Sequence, residues 1–150
     1  MTTKAEFNAE EWDTITEGPA IAGLIVASAS RGGTIRETLA MGKTYAEARR
    51  EQSGDLVGEI VSTAPHLDAG EFSSKEDLRT RGLGKLSQAV GLVRDRATAD
   101  ELADYREFVL AVAQRAAEAD KSGSFLGIGG ERVSGDEQQA IADITTALDA

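Results

Sequence analysis

The stretch from Ala20 to Ala29 (AIAGLIVASA) carries only small and aliphatic residues and no charge. A helix that is apolar on every side has to be buried on every side. This segment is therefore predicted to form the centre of the fold and to pack against the helix expected at residues 99–121. Gly18-Pro19 directly before it predicts a break in the chain, with Pro19 as the first residue of the central helix, because proline suits the first helical turn.

The helix expected at residues 99–121 is amphipathic. Its apolar residues recur at steps of three and four, which places one stripe along a helix. The stripe comprises Leu102, Tyr105, Phe108, Val109, Val112, Ala113, Ala116 and Ala119. The side expected to face solvent comprises Asp100, Asp104, Glu107, Gln114 and Glu118. Thr98 and Glu101 form a capping box, in which each side chain accepts a hydrogen bond from the other residue's backbone N–H.

Further start signals, most of them Ser, Thr or Asn with Glu three residues later, mark the other helices. These helices are expected to begin near Asn8, Thr34, Ser53 or Asp55, Ser73 and Ser134. Phe7 is expected to pack on Trp12 beside the first start. Gly42 allows either one continuous helix or a break with a fresh start at Thr44. No segment shows the period of two that is typical of strands, so the predicted fold is all-α: a compact bundle of six or seven helices in one domain over residues 1–150.

The chain of 150 residues has a formal net charge of −10 and no cysteine. This charge argues against general binding to nucleic acid or anionic lipid, because both require basic residues to neutralise phosphates. Without cysteine, disulfides and thiolate metal sites are excluded. The first residues lack the apolar run of a secretory signal, and the longest uncharged stretch, residues 18–30, is too short to span a bilayer. We therefore expect a soluble, cytoplasmic protein without membrane insertion.

Two short motifs begin or end like known binding loops but lack a required residue. Residues 42–44 (GKT) end like a phosphate-binding loop, yet Glu37 stands where that motif needs glycine. Residues 120–131 begin like a calcium loop, yet Phe125 stands at the position that needs glycine. Both standard motifs are therefore excluded.

A looser acidic site for a divalent cation remains open near the last turn of the chain. Its candidate ligands are Asp120, Glu131, Asp136 and Glu137. Calcium and magnesium bind several carboxylate oxygens without a strict order in the sequence, so either ion is a candidate cofactor. In a second interpretation, Asp136 and Glu137 occupy the first turn of a helix, where the helix dipole stabilises negative charge.

Two other features have open interpretations. The apolar residues of the glycine-rich turn at 123–130 form either an exposed tip that binds a partner or a plug at one end of the bundle. A pocket beneath this turn would suit a small molecule. Residues 75–96 have a local excess of basic side chains. This excess fits a patch for an acidic partner or for a second copy of the chain, or a solvated face with ion pairs.

Two segments share one order of parts: an alanine-rich helix, a glycine turn, a helix cap and an apolar helix. The first is Ala27-Ser-Ala-Ser30 with Gly33-Thr34-x-x-Glu37-x-x-x-Met41, and the second is Ala119-Asp120 with Val133-Ser134-x-x-Glu137-x-x-x-Ile141. This pattern resembles the tellurite-resistance TerB-like family. The resemblance implies a small all-α domain with two related halves and an acidic surface for a divalent metal, with Asp120 and Glu137 as the transferred residues. The chain departs from the family pattern at Ser30, where an acidic residue is expected.

The sequence favours a non-catalytic helical interaction module that binds a protein partner or a second copy of itself, and the TerB-like resemblance implies a role in stress response. The divalent cation is a further candidate ligand. The alternative is a small-molecule-binding or enzymatic helical domain with a pocket between helices under the FLGIGG turn. The sequence offers no nucleophile–base pair, which argues against an enzyme, although two carboxylates brought together by the fold suffice for acid–base chemistry.

Thermal melts with calcium, magnesium or a chelator test the acidic cation site. If the four carboxylates converge, millimolar calcium should raise the stability of the folded state, by about 2.7 kcal/mol at a hundredfold excess over Kd. Sodium at matched ionic strength is the control, because screening alone stabilises a chain with this charge. Coincident calcium and sodium curves would exclude the site.

Overall fold

The computed structural model describes residues 4–29, 34–51, 55–62, 72–122 and 135–149. Within these ranges a short 3-10 helix at Lys4–Glu6 precedes six α-helices, and no strand occurs. The helices are α1 (Ala9–Ala29), α2 (Thr34–Arg50), α3 (Asp55–Val61), α4 (Lys75–Arg96), α5 (Ala99–Ser122) and α6 (Gly135–Asp149). The predicted all-α class is confirmed.

Helices α1 and α5 form the centre of the bundle. Helix α1 packs against α2, α4, α5 and α6, while α5 also packs against α2 and α3. The uncharged segment of α1 is buried as predicted: Ile21, Ala22 and Val26 have no exposed surface, and Ile25 is almost as inaccessible. The five polar side chains predicted on the far side of α5 are all exposed. Hydrophobic spacing therefore located both central helices and the outer face of α5.

The predicted break at Gly18-Pro19 is wrong, because α1 continues through Pro19. A proline inside a helix cannot donate to the carbonyl four residues earlier, which here belongs to Ile15. The hydroxyl of Tyr105 in α5 donates to that carbonyl instead, at 2.7 Å. Gly18 leaves room for this contact, since a Cβ at this position would overlap the Tyr105 hydroxyl oxygen. The tyrosine of one helix thus compensates for the proline of the other.

Helix α4 also approaches α1 closely at a glycine. A Cβ added to Gly82 would lie 3.0 Å from side-chain atoms of both Ile21 and Ile25. The apolar stripe of α4 is buried as predicted, and it comprises Leu78, Leu86, Val90 and Val93. The residue that weakens α4 as an isolated helix therefore lets it pack against the central one.

The capping boxes predicted at two helix starts are confirmed. The Glu11 N–H donates to Asn8 Oδ1 at 2.8 Å, and the Asn8 N–H donates back to Glu11 Oε1 at 3.0 Å. Thr98 and Glu101 exchange the same pair of hydrogen bonds, at 3.1 and 3.2 Å. Beside the first box the rings of Phe7 and the tryptophan of α1 lie 5.9 Å apart, as the predicted packing requires.

Helix α2 runs through Gly42 without a break, and α3 begins at Asp55, one of its two predicted starts. The Arg49 side chain of α2 donates to the carbonyl of Val61, the last residue of α3. Basic side chains are favourable at the C-terminal end of a helix, where carbonyls lack partners within the helix. This contact attaches the end of the short α3 to α2.

The last carbonyls of α6 are satisfied by two neighbouring helices. Ser87 of α4 donates to the Ala147 carbonyl at 3.2 Å, and Arg106 of α5 donates to the Leu148 carbonyl at 2.9 Å. The last turn of α6 contains no basic residue of its own. The cation that stabilises this helix end therefore comes from α5.

The basic residues of α4 are largely engaged in ion pairs. Three pairs join α4 to other helices: Arg79–Asp143, Lys85–Glu17 and Arg96–Glu11. Arg81 pairs with Asp77 one turn earlier in α4 itself. Hydrogen bonds from Arg79 and Gln139 hold the pKa of the Asp143 carboxyl below its ordinary value. These four basic residues thus use their charges within the protein, as the interpretation of residues 75–96 as a solvated face with ion pairs expects. Among the described helices, none combines the length and the apolar composition needed to cross a membrane.

Two tyrosine substitutions are expected to have very different effects on the stability of the protein. Tyr105→Phe leaves the buried Ile15 carbonyl without its donor, which should cost about 1–3 kcal/mol and lower Tm by about 3–9 °C. Tyr45 is the matched control: it is 2% exposed, and its hydroxyl forms no hydrogen bond with the described residues. Tyr45→Phe should therefore leave stability unchanged or raise it slightly. Urea unfolding measures both, and equal losses would contradict the proposed role of Tyr105.

Two glycine substitutions are expected to change the free energy of unfolding in opposite directions. Gly18→Ala should destabilise by about 1–3 kcal/mol, because the new methyl group displaces the Tyr105 hydroxyl. Gly84→Ala should stabilise by about 0.5–1 kcal/mol, since nothing lies within 4 Å of a Cβ there and alanine favours the helix. In a Tyr105→Phe background the cost of Gly18→Ala should shrink, which a double-mutant cycle measures. An unchanged cost would show that the hydroxyl is not the obstacle.

Candidate functional site

The four predicted cation ligands are only partly within the described residues. Glu131 lies outside them, and so does the side chain of Asp120, although its backbone belongs to α5. Asp136 and Glu137 lie in the first turn of α6, where Asp136 is exposed and Glu137 is 2% exposed. Their place in the first turn fits the helix-dipole interpretation. The convergence of all four carboxylates stays a prediction.

Several other predicted features also fall outside the described residues. These are the cap at Ser134, the side chains of the cap at Thr34 and the whole FLGIGG turn. Within the described ranges, no three acidic or histidine side chains are grouped so that they could hold one metal ion.

A cleft of about 260 Å³ opens where α2, α3 and α5 meet. We refer to it as the acidic cleft. Its lining residues are Thr44, Glu47, Ala48, Glu51, Val57, Asp104, Glu107, Phe108, Ala111 and Arg115. The lining residues on α2, together with Glu51 directly after it, follow steps of three, one and three, and those on α5 follow steps of three, one, three and four. Such spacing is one face of a helix, so two helical faces form opposite walls and Val57 of α3 adds a third contribution.

The rim of the acidic cleft is strongly negative. Among the described residues that line it, four carry carboxylates, and Arg115 supplies the one positive charge. The Arg115 guanidinium forms an ion pair with Glu47 across the cleft, from α5 to α2. Glu51, Asp104 and Glu107 are exposed, and no ion pair joins them to other described residues. The rim therefore retains an excess of negative charge at neutral pH.

The floor of the cleft is apolar. It is formed by the small side chains of Ala48 and Ala111 together with Val57 and Phe108. The Phe108 ring is 7% exposed and meets the Tyr45 ring edge-on, with 5.2 Å between ring centroids. Burial raises the pKa of the Tyr45 hydroxyl, which therefore stays neutral behind the floor. This buried aromatic pair gives the floor a rigid support.

Sequence reasoning placed some of these residues correctly but missed the site. Asp104 and Glu107 were expected on the solvent side of α5, and they are exposed. Phe108 was assigned to the apolar stripe, and it is buried. The residues of α2 were not recognised as opposing them. The available signal was an apolar residue beside acids one turn apart on both helices, as in Glu47-Ala48-x-x-Glu51 and Asp104-x-x-Glu107-Phe108.

The chemistry of this lining suits the binding of a cationic group with an apolar stem. Carboxylates at the rim attract the charge, and the floor covers aliphatic carbons. Thr44 is the one residue with a hydroxyl group in the part of the lining that the structure describes. The arrangement therefore offers charge complementarity and a hydrophobic surface within one small cleft.

No family model, curated protein or solved structure matches this chain. The resemblance to the TerB-like family therefore stays a prediction that rests on the residues quoted for it.

Proposed function

We propose that this protein is a non-catalytic helical interaction module that binds a basic segment of a protein partner in the acidic cleft. The observation that carries the proposal is the combination of an acidic rim and an apolar floor between α2, α3 and α5. The cytoplasm is the proposed location, as the acidic composition without cysteine favours. A role in stress response is part of the proposal only through the TerB-like resemblance.

A lysine or arginine side chain fits both parts of the cleft. Its methylene groups can cover Ala48, Val57 and Ala111, while its charged end reaches the carboxylates of the rim. The face of an aromatic ring also attracts cations, so Phe108 can contribute where its surface is accessible. An acidic segment would meet repulsion from Glu51, Asp104 and Glu107 at the same rim. The cleft therefore selects for positive charge.

The size of the cleft suits a single side chain. Its volume of about 260 Å³ is close to the lower end of the range of about 300–1,000 Å³ that is typical of pockets for drug-sized ligands and cofactors. A partner's side chain needs only to be anchored here, because the rest of its chain can contact the surrounding surface.

The charge of the whole chain would assist the encounter. With a net charge of −10, the protein attracts basic partners over distances longer than a direct contact. Such steering raises association rates and weakens as salt is added. The cleft then supplies the specific contact that general attraction lacks.

Fluorescence anisotropy with a labelled peptide of alternating arginine and glycine tests this function. Asp104→Asn with Glu107→Gln should raise Kd about fivefold to thirtyfold, because two carboxylate–cation contacts of about 0.5–1 kcal/mol each are removed. Asp100→Asn with Glu118→Gln is the matched control, with the same change in charge on exposed positions of α5 outside the cleft.

The control pair should change Kd less than about twofold, since its carboxylates act only through the general field. Equal effects of the two pairs would mean that the peptide responds to net charge alone, and the acidic cleft would then not be the binding site. Circular dichroism melts verify that both double variants remain folded.

A further inference from the structure

The acidic cleft already holds a guanidinium group of the protein itself. The Arg115 side chain extends from α5 and pairs with Glu47 of α2, and both residues line the cleft. Their side chains are 43% and 37% exposed, so water reaches both partners of this pair. The cleft therefore already contains one contact between a guanidinium and a carboxylate, at a place that water can reach.

We infer that the acidic cleft is a guanidinium site and that Arg115 occupies it until an arginine of the partner takes its place at Glu47. This inference rests on the proposed function and adds to it a ligand class and a means of regulation. In the free protein Arg115 lowers the affinity for the partner by competing for Glu47. In the complex the partner's guanidinium replaces it, and Arg115 turns to solvent.

The exposure of the pair makes this exchange feasible. Ion pairs that water can reach contribute little to stability, and the contribution corresponds to at most about a fivefold change in an equilibrium constant. Glu51, Asp104 and Glu107 can meanwhile contact the rest of an incoming basic segment, because none is paired with another described residue. On binding, the weak contact between Arg115 and Glu47 is thus replaced by several contacts between the partner and the carboxylates of the rim.

Arginine is favoured over lysine for chemical reasons. A guanidinium is planar and delocalised, and it is less strongly hydrated than an ammonium group. It therefore tolerates the apolar floor of Ala48, Phe108 and Ala111 better, and its several N–H donors can reach more than one carboxylate of the rim. The ammonium group of lysine is compact and strongly hydrated, so it loses more hydration free energy than a guanidinium does when it enters such a cleft.

The test compares Arg115→Gln with Lys43→Gln by anisotropy, with peptides of alternating arginine–glycine and lysine–glycine. Lys43 is an exposed residue of α2, one helical turn before Glu47, and it does not line the cleft. Both variants remove one positive charge, so general electrostatics changes equally. Arg115→Gln should bind the arginine peptide about twofold to fivefold more tightly than Lys43→Gln does, with a smaller gain for the lysine peptide.

Each part of the inference has its own contrary result. Equal affinities of the two variants, or weaker binding by Arg115→Gln, would overturn the role of Arg115 as occupant. Equal gains for both peptides would overturn the preference for a guanidinium. In either case the proposed function stands if Asp104→Asn with Glu107→Gln still weakens binding. Absence of peptide binding by both the wild type and Arg115→Gln would instead overturn the proposed function, and the inference with it.

Discussion

The hydrogen bond from the Tyr105 hydroxyl to the Ile15 carbonyl is the contact on which the centre of this bundle depends. Pro19 leaves that carbonyl without a donor inside α1, and a buried carbonyl without a hydrogen bond is costly. Gly18 gives the hydroxyl access. Gly18 and Pro19 would usually end a helix. Here they allow a hydrogen bond between α1 and α5. The hydrogen bond therefore adds one specific polar contact to the apolar packing of α5 against α1.

Hydrophobic spacing and capping signals were enough to predict most of the helices. Charge-free residues 20–29 located the buried centre, and Asn8 and Thr98 located two helix starts, because these signals act within one or two helical turns. The continuity of α1 through Pro19 was not predictable in this way. It depends on Tyr105, which lies far away in sequence, and no local pattern reports on a donor supplied by another helix.

The acidic cleft was missed for a related reason. Asp104 and Glu107 look like ordinary solvent-facing residues of an amphipathic helix, and in isolation they are. Only the approach of α2 places Glu47 and Ala48 opposite them, and α3 closes the third side. The residues of a site that is built from three helices are far apart in the sequence, so they form no motif with a fixed spacing. The basic residues of α4 are more conspicuous in the sequence, yet three of them pair with acidic residues of α1 and α6.

The short length of α3 affects how readily this side of the cleft opens. This wall has seven residues, and a helix so short does not persist by itself in water. Its order comes from the burial of Leu56, Val57 and Ile60 and from the Arg49 contact at its end. We therefore expect α3 to open locally more readily than α2 or α5, which are longer helices. A ligand that contacts Val57 would slow amide hydrogen exchange in α3 far more than in α5. Exchange in α3 would then be the most sensitive measure of whether the cleft is occupied.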